Sequence, residues 1–366
     1  MSAALRPRGR PNECSQGKRV GPSVDVGVQS LIMPTVSVIT PVYRGERYLS
    51  GFFDALVSQT AFSDLELVLV HNQPSTVERD LVRSFARSYP DKLVHLVVDE
   101  TNACRLDRRP GSWALETVAQ SMNRAIAQAA GEYIALWNVD DLRVTDSLER
   151  EVAVLESDAQ IGLTYGDFVI VARPGDTVGF HQTCPEFDRE KATRSCHGGF
   201  QMWRKSVHDV AGLFDEQLRS GADFDLWIRI AAQSSMKKTQ GDLGYYLNAG
   251  SGLSTRKGGL RFVEDTVIGL RYGIIDRIDY RLLRQARQYR RGEVHFGGKW
   301  HPVAKFFPEY DERAATLKRL WPSELRRQRR VRLRQTVVAC WRQPRHAAGV
   351  LLRRIRVLPP RNRNGR

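Results

Sequence analysis

The stretch Gly131-Glu132-Tyr133-Ile134-Ala135-Leu136-Trp137-Asn138-Val139-Asp140-Asp141 constrains the fold more than any other part of the chain. Tyr133 to Trp137 read as a short buried strand that runs straight into two adjacent carboxylates. A strand apolar on both faces belongs inside a parallel sheet covered by helices. Ligands of open α/β sheets bind just past the carboxyl ends of such strands. Two hard oxygen donors there suit a divalent cation, and a divalent cation suits a diphosphate. The plainer alternative is that Asp140 and Asp141 start a turn and cap the helix that follows.

The chain before this stretch supplies the rest of a doubly wound half. Val36 to Tyr43 (Val-Ser-Val-Ile-Thr-Pro-Val-Tyr) reads as a buried strand ending at Thr40-Pro41. Tyr48 to Gln59 carries Leu49, Phe52, Phe53, Leu56 and Val57 at helical spacing. Leu65 to Val70 is a second strand, broken at His71-Asn72-Gln73-Pro74. A helix over Thr76–Tyr89, a strand over Leu93–Val98 and a helix over Gly111–Ala130 follow, with Gly131 as the expected C-cap. The order β-α-β-α-β-α-β is the usual home of a nucleotide. The phosphate device is unusual, because neither GxxxxGK[ST] nor GxGxxG follows the first strand. That argues against a P-loop NTPase and a dinucleotide-dependent dehydrogenase, and leaves a carboxylate-held metal as the means of neutralising a diphosphate.

Downstream, the spacing predicts a helix over Ser147–Ser157, a strand over Ile161–Val171, and an amphipathic helix opening at Asp223 and Asp225. Acids in a first turn favour the helix dipole, so plain capping is the ordinary reading of that pair. Phe262–Gly273 and Tyr280–Arg291 read as helices. Cys14, Cys104, Cys184, Cys196 and Cys340 are scattered, with no zinc spacing.

The segments from about Val36 to Ser254 resemble the family 2 glycosyltransferases of GT-A fold. Val36 to Tyr43 looks like the opening strand whose end, at Thr40, Pro41 and Tyr43, holds base and ribose. Leu67 to Ser75 stands where the family ends a strand in acids and Gly-Ser. Asn123 and Ala130 to Ile134 are similar to the asparagine-bearing helix and Gly-Glu-Tyr-Ile strand. Asn138-Val139-Asp140-Asp141 fits the metal-binding D-x-D-D. Gly212 to Arg229 looks like Gly-x-Phe-Asp-Glu, then acid-Asp, then Asp-Leu-Trp-x-Arg.

The resemblance implies a GT-A type doubly wound mixed sheet with helices on both faces, plus a C-terminal helical basic extension. It implies an inverting transfer of a sugar from a nucleotide diphosphate (UDP, GDP or dTDP) to a hydroxyl of a glycan or lipid-linked acceptor. Asp223 would be the general base, and Asp140 with Asp141 would hold Mn²⁺ or Mg²⁺. Thr40, Pro41, Tyr43, Asn72, Asn123, Asn138 and Asp140 would contact the donor. Beside the resemblance, Trp203 and Arg204 could hold an acceptor sugar, with core packing an equal alternative for Trp203, and Arg256 could close a Gly-rich lid with Lys257, where a mobile loop with solvated charges is the plainer reading. Departures are Asn138 for the first acid, His71-Asn72 for two acids, and no metal-binding His before Gly250-Ser251, where Asn248 could fill in. They motivate the alternative of a non-catalytic protein of this fold that binds a nucleotide sugar or glycan. His71 reads as a loop residue, and Trp113 and Trp137 as packing.

Charge divides the chain. The net +15 combines a tail, Arg326–Arg366, of 14 Arg without an acid, a +3 leader over 1–33, and a body near neutrality. A nucleic-acid binder keeps its basic face on the folded domain, so nucleic acid is not the expected partner. Arg beside Trp341 and Leu351-Leu352 fits an interfacial helix on anionic lipid, with a solvated tail as the alternative. The expected organisation is a disordered leader 1–33, the catalytic domain 34–262, a helical extension 263–322 and an amphipathic or disordered tail 323–366. No long apolar run or secretory signal occurs, so the expected location is cytoplasmic, with peripheral contact to the inner face of the membrane.

Overall fold

The protein is described by a computed structural model covering residues 34–316, apart from 104–114, 190–199, 251–258 and 275–278, together with residue 330. The leader, most of the Arg-rich tail, Trp113, Arg256, Lys257, Cys14, Cys104, Cys196 and Cys340 lie outside the described residues.

The elements run β1 (Val36–Val42), α1 (Glu46–Val57), β2 (Leu65–Asn72), α2 (Thr76–Ser88), β3 (Leu93–Val98), α3 (Val118–Gln128) and β4 (Tyr133–Leu136). Then follow β5 (Leu142–Arg143), α4 (Ser147–Glu156), β6 (Ile161–Val171), β7 (Phe180–Gln182), β8 (Met202–Arg204), α5 (Val207–Ala211), α6 (Ala222–Gln233) and β9 (Ser235–Leu247). After them come α7 (Leu260–Arg271), α8 (Tyr280–Ala286) and a hairpin, β10 (Glu293–Phe296) with β11 (Lys299–Pro302).

The large sheet has the order β3-β2-β1-β4-β8-β6-β9-β5, with β7 on β6. β1 to β4 are parallel. The short β8 runs against both β4 and β6, and β9 is parallel to β6. β4, β6 and β9 therefore point the same way, and their carboxyl ends share one edge. The result is the expected GT-A type mixed sheet.

Both faces of that sheet are covered because its central strands are apolar on both sides. Leu65, Leu67 and Leu69 of β2 pack with Leu49, Phe52, Phe53 and Leu56 of α1. The alternate residues Val68 and Val70 join Ala119, Met122 and Ile126 of α3 in the second core, which also takes Leu226 and Ile230 of α6. Trp137 is packing, as expected: it is buried and meets Phe52 edge-on at 5.2 Å.

Three local readings need correction. α3 ends at Gln128 with Ala129 as its C-cap, so Gly131 is not a cap. Gly131 is glycine because a Cβ there would sit 2.6 Å from the Ser37 amide nitrogen of β1. His71 belongs to β2 and is fully buried rather than in a loop. The basic helix expected over Tyr280–Arg291 stops at Ala286, and the β10–β11 hairpin follows. Among the described residues no helix is long and apolar enough to cross a membrane.

Candidate active site

The sheet's carboxyl edge carries the Asp140 region. Beyond β4 the buried Trp137 donates its indole N–H to the Asp141 carbonyl at 3.0 Å. Asp141 itself is buried, and both of its oxygens accept protein N–H groups: Oδ1 from the Leu247 amide at 2.9 Å, Oδ2 from the Asn138 side chain at 3.1 Å. Asp141 thus ties the end of β4 to the end of β9. Burial, and then the neighbouring Asp140 charge, push its carboxyl up to about 7, against the Leu247 and Asn138 donors.

Asp140 is different. It is half-buried, and among the described residues no hydrogen bond from another residue holds its carboxylate. Burial raises its pKa, while its own backbone amide and the Arg47 guanidinium pull the other way. The two aspartates expected to share a metal are therefore unlike, with Asp140 the carboxylate left open. Among the described residues no group of three or more His, Cys, Asp and Glu clusters as a metal site. A Mg²⁺- or Mn²⁺-type ion that keeps several waters needs only one or two carboxylates plus substrate phosphates, and Asp140 fits that mode.

The end of β1 lies beside it, and the end of β2 lies one strand further on. Thr40 is fully buried, and its hydroxyl has no hydrogen-bond partner; Pro41 and Tyr43 are half-buried. Glu78 accepts the Gly45 amide at 2.6 Å and the Ser75 amide at 2.7 Å, so the cap of α2 also pins the loop after β1. A Cβ on Gly45 would lie 3.6 Å from Val139, which brings this loop against the Asn138–Asp140 turn. Arg44 (φ 55°) and Gln73 (φ 48°) both hold the left-handed region just past the two strands. Non-glycine residues there store of order 1 kcal/mol or more each, a pattern typical of ligand sites.

Two asparagines expected at the donor prove to be internal struts. Asn72 is buried, donates to Ser121 Oγ at 2.9 Å and accepts the Glu116 amide at 3.0 Å, tying β2 to α3. Asn123 donates to the Phe214 carbonyl at 2.9 Å and to Glu216 at 3.0 Å, and accepts the Phe214 amide at 2.9 Å. It fastens α3 to the Gly212–Glu216 turn, and its amide is fully engaged by protein partners.

The acceptor residues are corrected more strongly. Trp203 is completely buried, sits edge-on to Trp227 at 5.2 Å and donates to His208 Nε2 at 2.9 Å. A core tryptophan cannot stack a sugar. Arg204 stands opposite Tyr133, the first residue of β4, so it lies at the far end of the strand from Asp140. Its guanidinium reaches the Ile161 and Leu155 carbonyls and Glu132. Arg256 lies outside the described residues.

α6 carries the second pair of acids. Asp225 is buried and accepts Arg229 at 2.8 and 3.1 Å, Arg271 at 2.6 Å and the Tyr272 hydroxyl at 2.8 Å. Burial opposes its ionisation, but Arg271 and Arg229 overcome that and hold the carboxyl below its usual range. Asp223, two residues earlier, is half-buried; its Oδ1 accepts the Phe224 amide at 2.7 Å, and among the described residues no other side chain bonds to its carboxylate. Burial raises its pKa, the Phe224 amide and Arg261 lower it, and Asp265 adds to the rise. α6 ends two residues before β9 begins, so it packs back along the sheet. Its 12 residues span about 18 Å.

The motif for "Glycosyl transferase family 2" matches residues 37–210. Over that segment, just under half of the chain, the protein is similar to the family 2 glycosyltransferases. An uncharacterized glycosyltransferase of Rickettsia typhi is 24% identical over 217 residues, covering 57% of this chain and 62% of that protein. One from Methanocaldococcus jannaschii is 23% identical over 54% of this chain and 65% of its own length. The chain thus spans under two thirds of these curated relatives. Among solved structures, S. aureus TarS 1-349 in complex with UDP aligns at a TM-score of 0.49 and 17% identity, covering 70% of this chain and 73% of that one.

Sequence reasoning missed Arg47, whose charge reaches Asp140, and the α7 residues around Asp223. One signal for the latter was present: Glu264 interrupts the apolar stripe Val263, Val267, Ile268, and a carboxylate on a buried face needs a partner.

Proposed function

We propose that this domain catalyses an inverting transfer of a sugar from a nucleotide-diphosphate donor to a hydroxyl of a glycan or lipid-linked acceptor. Asp140 is the observation that carries the reading: a half-buried carboxylate left open at the carboxyl end of β4, beside the loop after β1, where Arg44 holds a positive φ. The donor's diphosphate lies there, flanked by Thr40, Tyr43 and the Asn138–Asp140 turn. Asp140 would hold a divalent cation, which would supply charge to offset the leaving diphosphate, and Arg47 adds positive charge from the protein.

Asp223 takes the proton of the acceptor hydroxyl. Its Oδ1 is fixed by the Phe224 amide, which leaves Oδ2 for that proton. Burial raises its pKa, which makes it a stronger base at neutral pH. With one base opposite one leaving group, the transfer is a single displacement and inverts the anomeric centre. The Arg-rich tail would bring the domain to an anionic lipid surface, where a lipid-linked acceptor resides.

Calorimetry with UDP-, GDP- and dTDP-sugars, with and without Mn²⁺, tests the donor site, and Asp140→Asn is expected to weaken the Mn²⁺-dependent affinity. Asp223→Asn is expected to lower turnover by about 10²–10⁴-fold with donor affinity kept. Wild-type turnover in Asp223→Asn would remove the base from this reading. Donor binding without any turnover in the wild type would favour the non-catalytic alternative.

A further inference from the structure

The turn that carries Asp223 is not held by its own helix. α6 has Gly221 at its N-cap and no side-chain cap of its own. Three consecutive amides ahead of it converge instead on one side chain from α7. Glu264 accepts the Arg219 amide at 3.0 and 3.1 Å on its two oxygens. Its Oε2 also accepts the Ser220 amide at 2.7 Å and the Gly221 amide at 3.0 Å. The Tyr289 hydroxyl donates to Oε1 at 3.1 Å and orients the carboxylate from behind.

Successive amides aimed at one point form an anion-binding concavity, and the start of a helix adds positive potential to it. Glu264 is the anion that fills this one, and it is fully buried. The same clamp has a steric half: a Cβ on Gly221 would come 2.9 Å from the Ile268 side chain, one turn beyond Glu264. α7 therefore packs closely against the turn as well as bonding to it. Arg261 and Asp265, on either side of Glu264 along α7, are the charged groups that act on the Asp223 carboxyl. An ordinary helix cap comes from the residue next door; this one comes from 43 residues downstream, beyond the segment that matches the family.

We propose that Glu264 is the positioning residue for Asp223, holding the 219–221 turn so that the Asp223 carboxylate meets the acceptor hydroxyl. This rests on the reading of Asp223 as the base. Glu264 touches no substrate and acts only through the turn. A group misplaced by about 1 Å costs on the order of 10²-fold in rate, so a small relaxation of the turn is enough to be seen.

The test uses the full chain and follows nucleoside diphosphate released from whichever of UDP-glucose, UDP-N-acetylglucosamine, GDP-mannose or dTDP-rhamnose turns over fastest. Glu264→Gln keeps the shape but puts a donor where amides point. It is expected to lower kcat by about 10²-fold while the donor KM stays within about twofold, since the donor site at Asp140 is untouched. Tyr289→Phe, a milder change that preserves the carboxylate, is expected to lower kcat a few-fold with the same split. In an Asp223→Asn background, adding Glu264→Gln is expected to cost nothing further, because residues acting as one unit are not additive. Wild-type kcat in both single variants, losses that multiply in the double variant, or a parallel loss of donor affinity would each overturn the proposal. Asp223→Asn at full rate would bring down the base reading and this proposal together. An inactive Asp223→Asn beside fully active Glu264→Gln and Tyr289→Phe would bring down this proposal alone.

Discussion

The end of β4 and the start of α6 each carry two aspartates close together, and each pair splits the same way. At β4, Asp141 is buried with both oxygens bonded, while Asp140 is open. At α6, Asp225 is buried among two arginines and a tyrosine, while Asp223 meets no side-chain partner among the described residues. The engaged members differ in kind. Asp141 meets neutral N–H donors, and burial pushes its carboxyl up; Asp225 meets guanidinium groups that hold its carboxyl down. One acid of each pair builds the scaffold, and its neighbour keeps most of its carboxylate free of protein partners among the described residues. Proximity along the chain therefore says nothing about shared duty.

The largest expected effect separates the α6 pair. Asp225→Ala leaves Arg229 and Arg271 buried without their shared carboxylate, and breaking such a pair costs about 3–5 kcal/mol. Asp223→Asn is expected to change stability by about 1 kcal/mol or less, the scale of a lost cap. Urea melts of the two variants check this, and equal losses would break the distinction. The next effect separates the β4 pair. Asp141→Ala strands the Leu247 amide and is expected to cost about 1–3 kcal/mol, whereas Asp140→Asn leaves the melting temperature near wild type and acts on Mn²⁺-dependent donor affinity. The smallest effect is in pH. His208 accepts the Trp203 indole N–H and faces the Gly212 carbonyl through Nδ1. Burial pushes its pKa down to about 4 from 6.5, with the Gly212 carbonyl opposing. The unfolded chain then binds the extra proton first, so this contribution is present above pH 6.5 and is lost as pH falls toward about 4. His208→Gln should flatten that part of the thermal stability profile near α6.

Much of the fold could be read from the chain because its central strands are apolar on both faces. Ile161–Val171 and Leu93–Val98 appear with the boundaries that their runs suggest. β5, β7 and β8 have two or three residues each, too few for any periodicity to show, so Trp203 could not be seen as the centre of a strand in the core. The β10–β11 hairpin had a legible signal that a helical reading overrode. Gly297 and Gly298 both take positive φ, 58° and 71°, as a tight two-residue turn requires. At the candidate site, motif spacing singled out Asp140 and Asp223 but could not say which side-chain amides were free. Asn72 and Asn123 have the right chemistry for a nucleotide, and the fold gives that chemistry to Ser121, Glu116 and the Phe214 turn. Such pairings join residues up to 93 positions apart, and local pattern does not reach that far.

Arg271 carries a consequence for where this domain can end. Its guanidinium joins Asp215 and Asp225 to the carbonyls of Arg290, Arg291 and Glu293. A chain trimmed at the end of the family match, or at residue 262, would leave two interior carboxylates with no counter-ion from α7. The strip of polypeptide after β9 thus braces the start of α6, through contacts that run as far as Glu293.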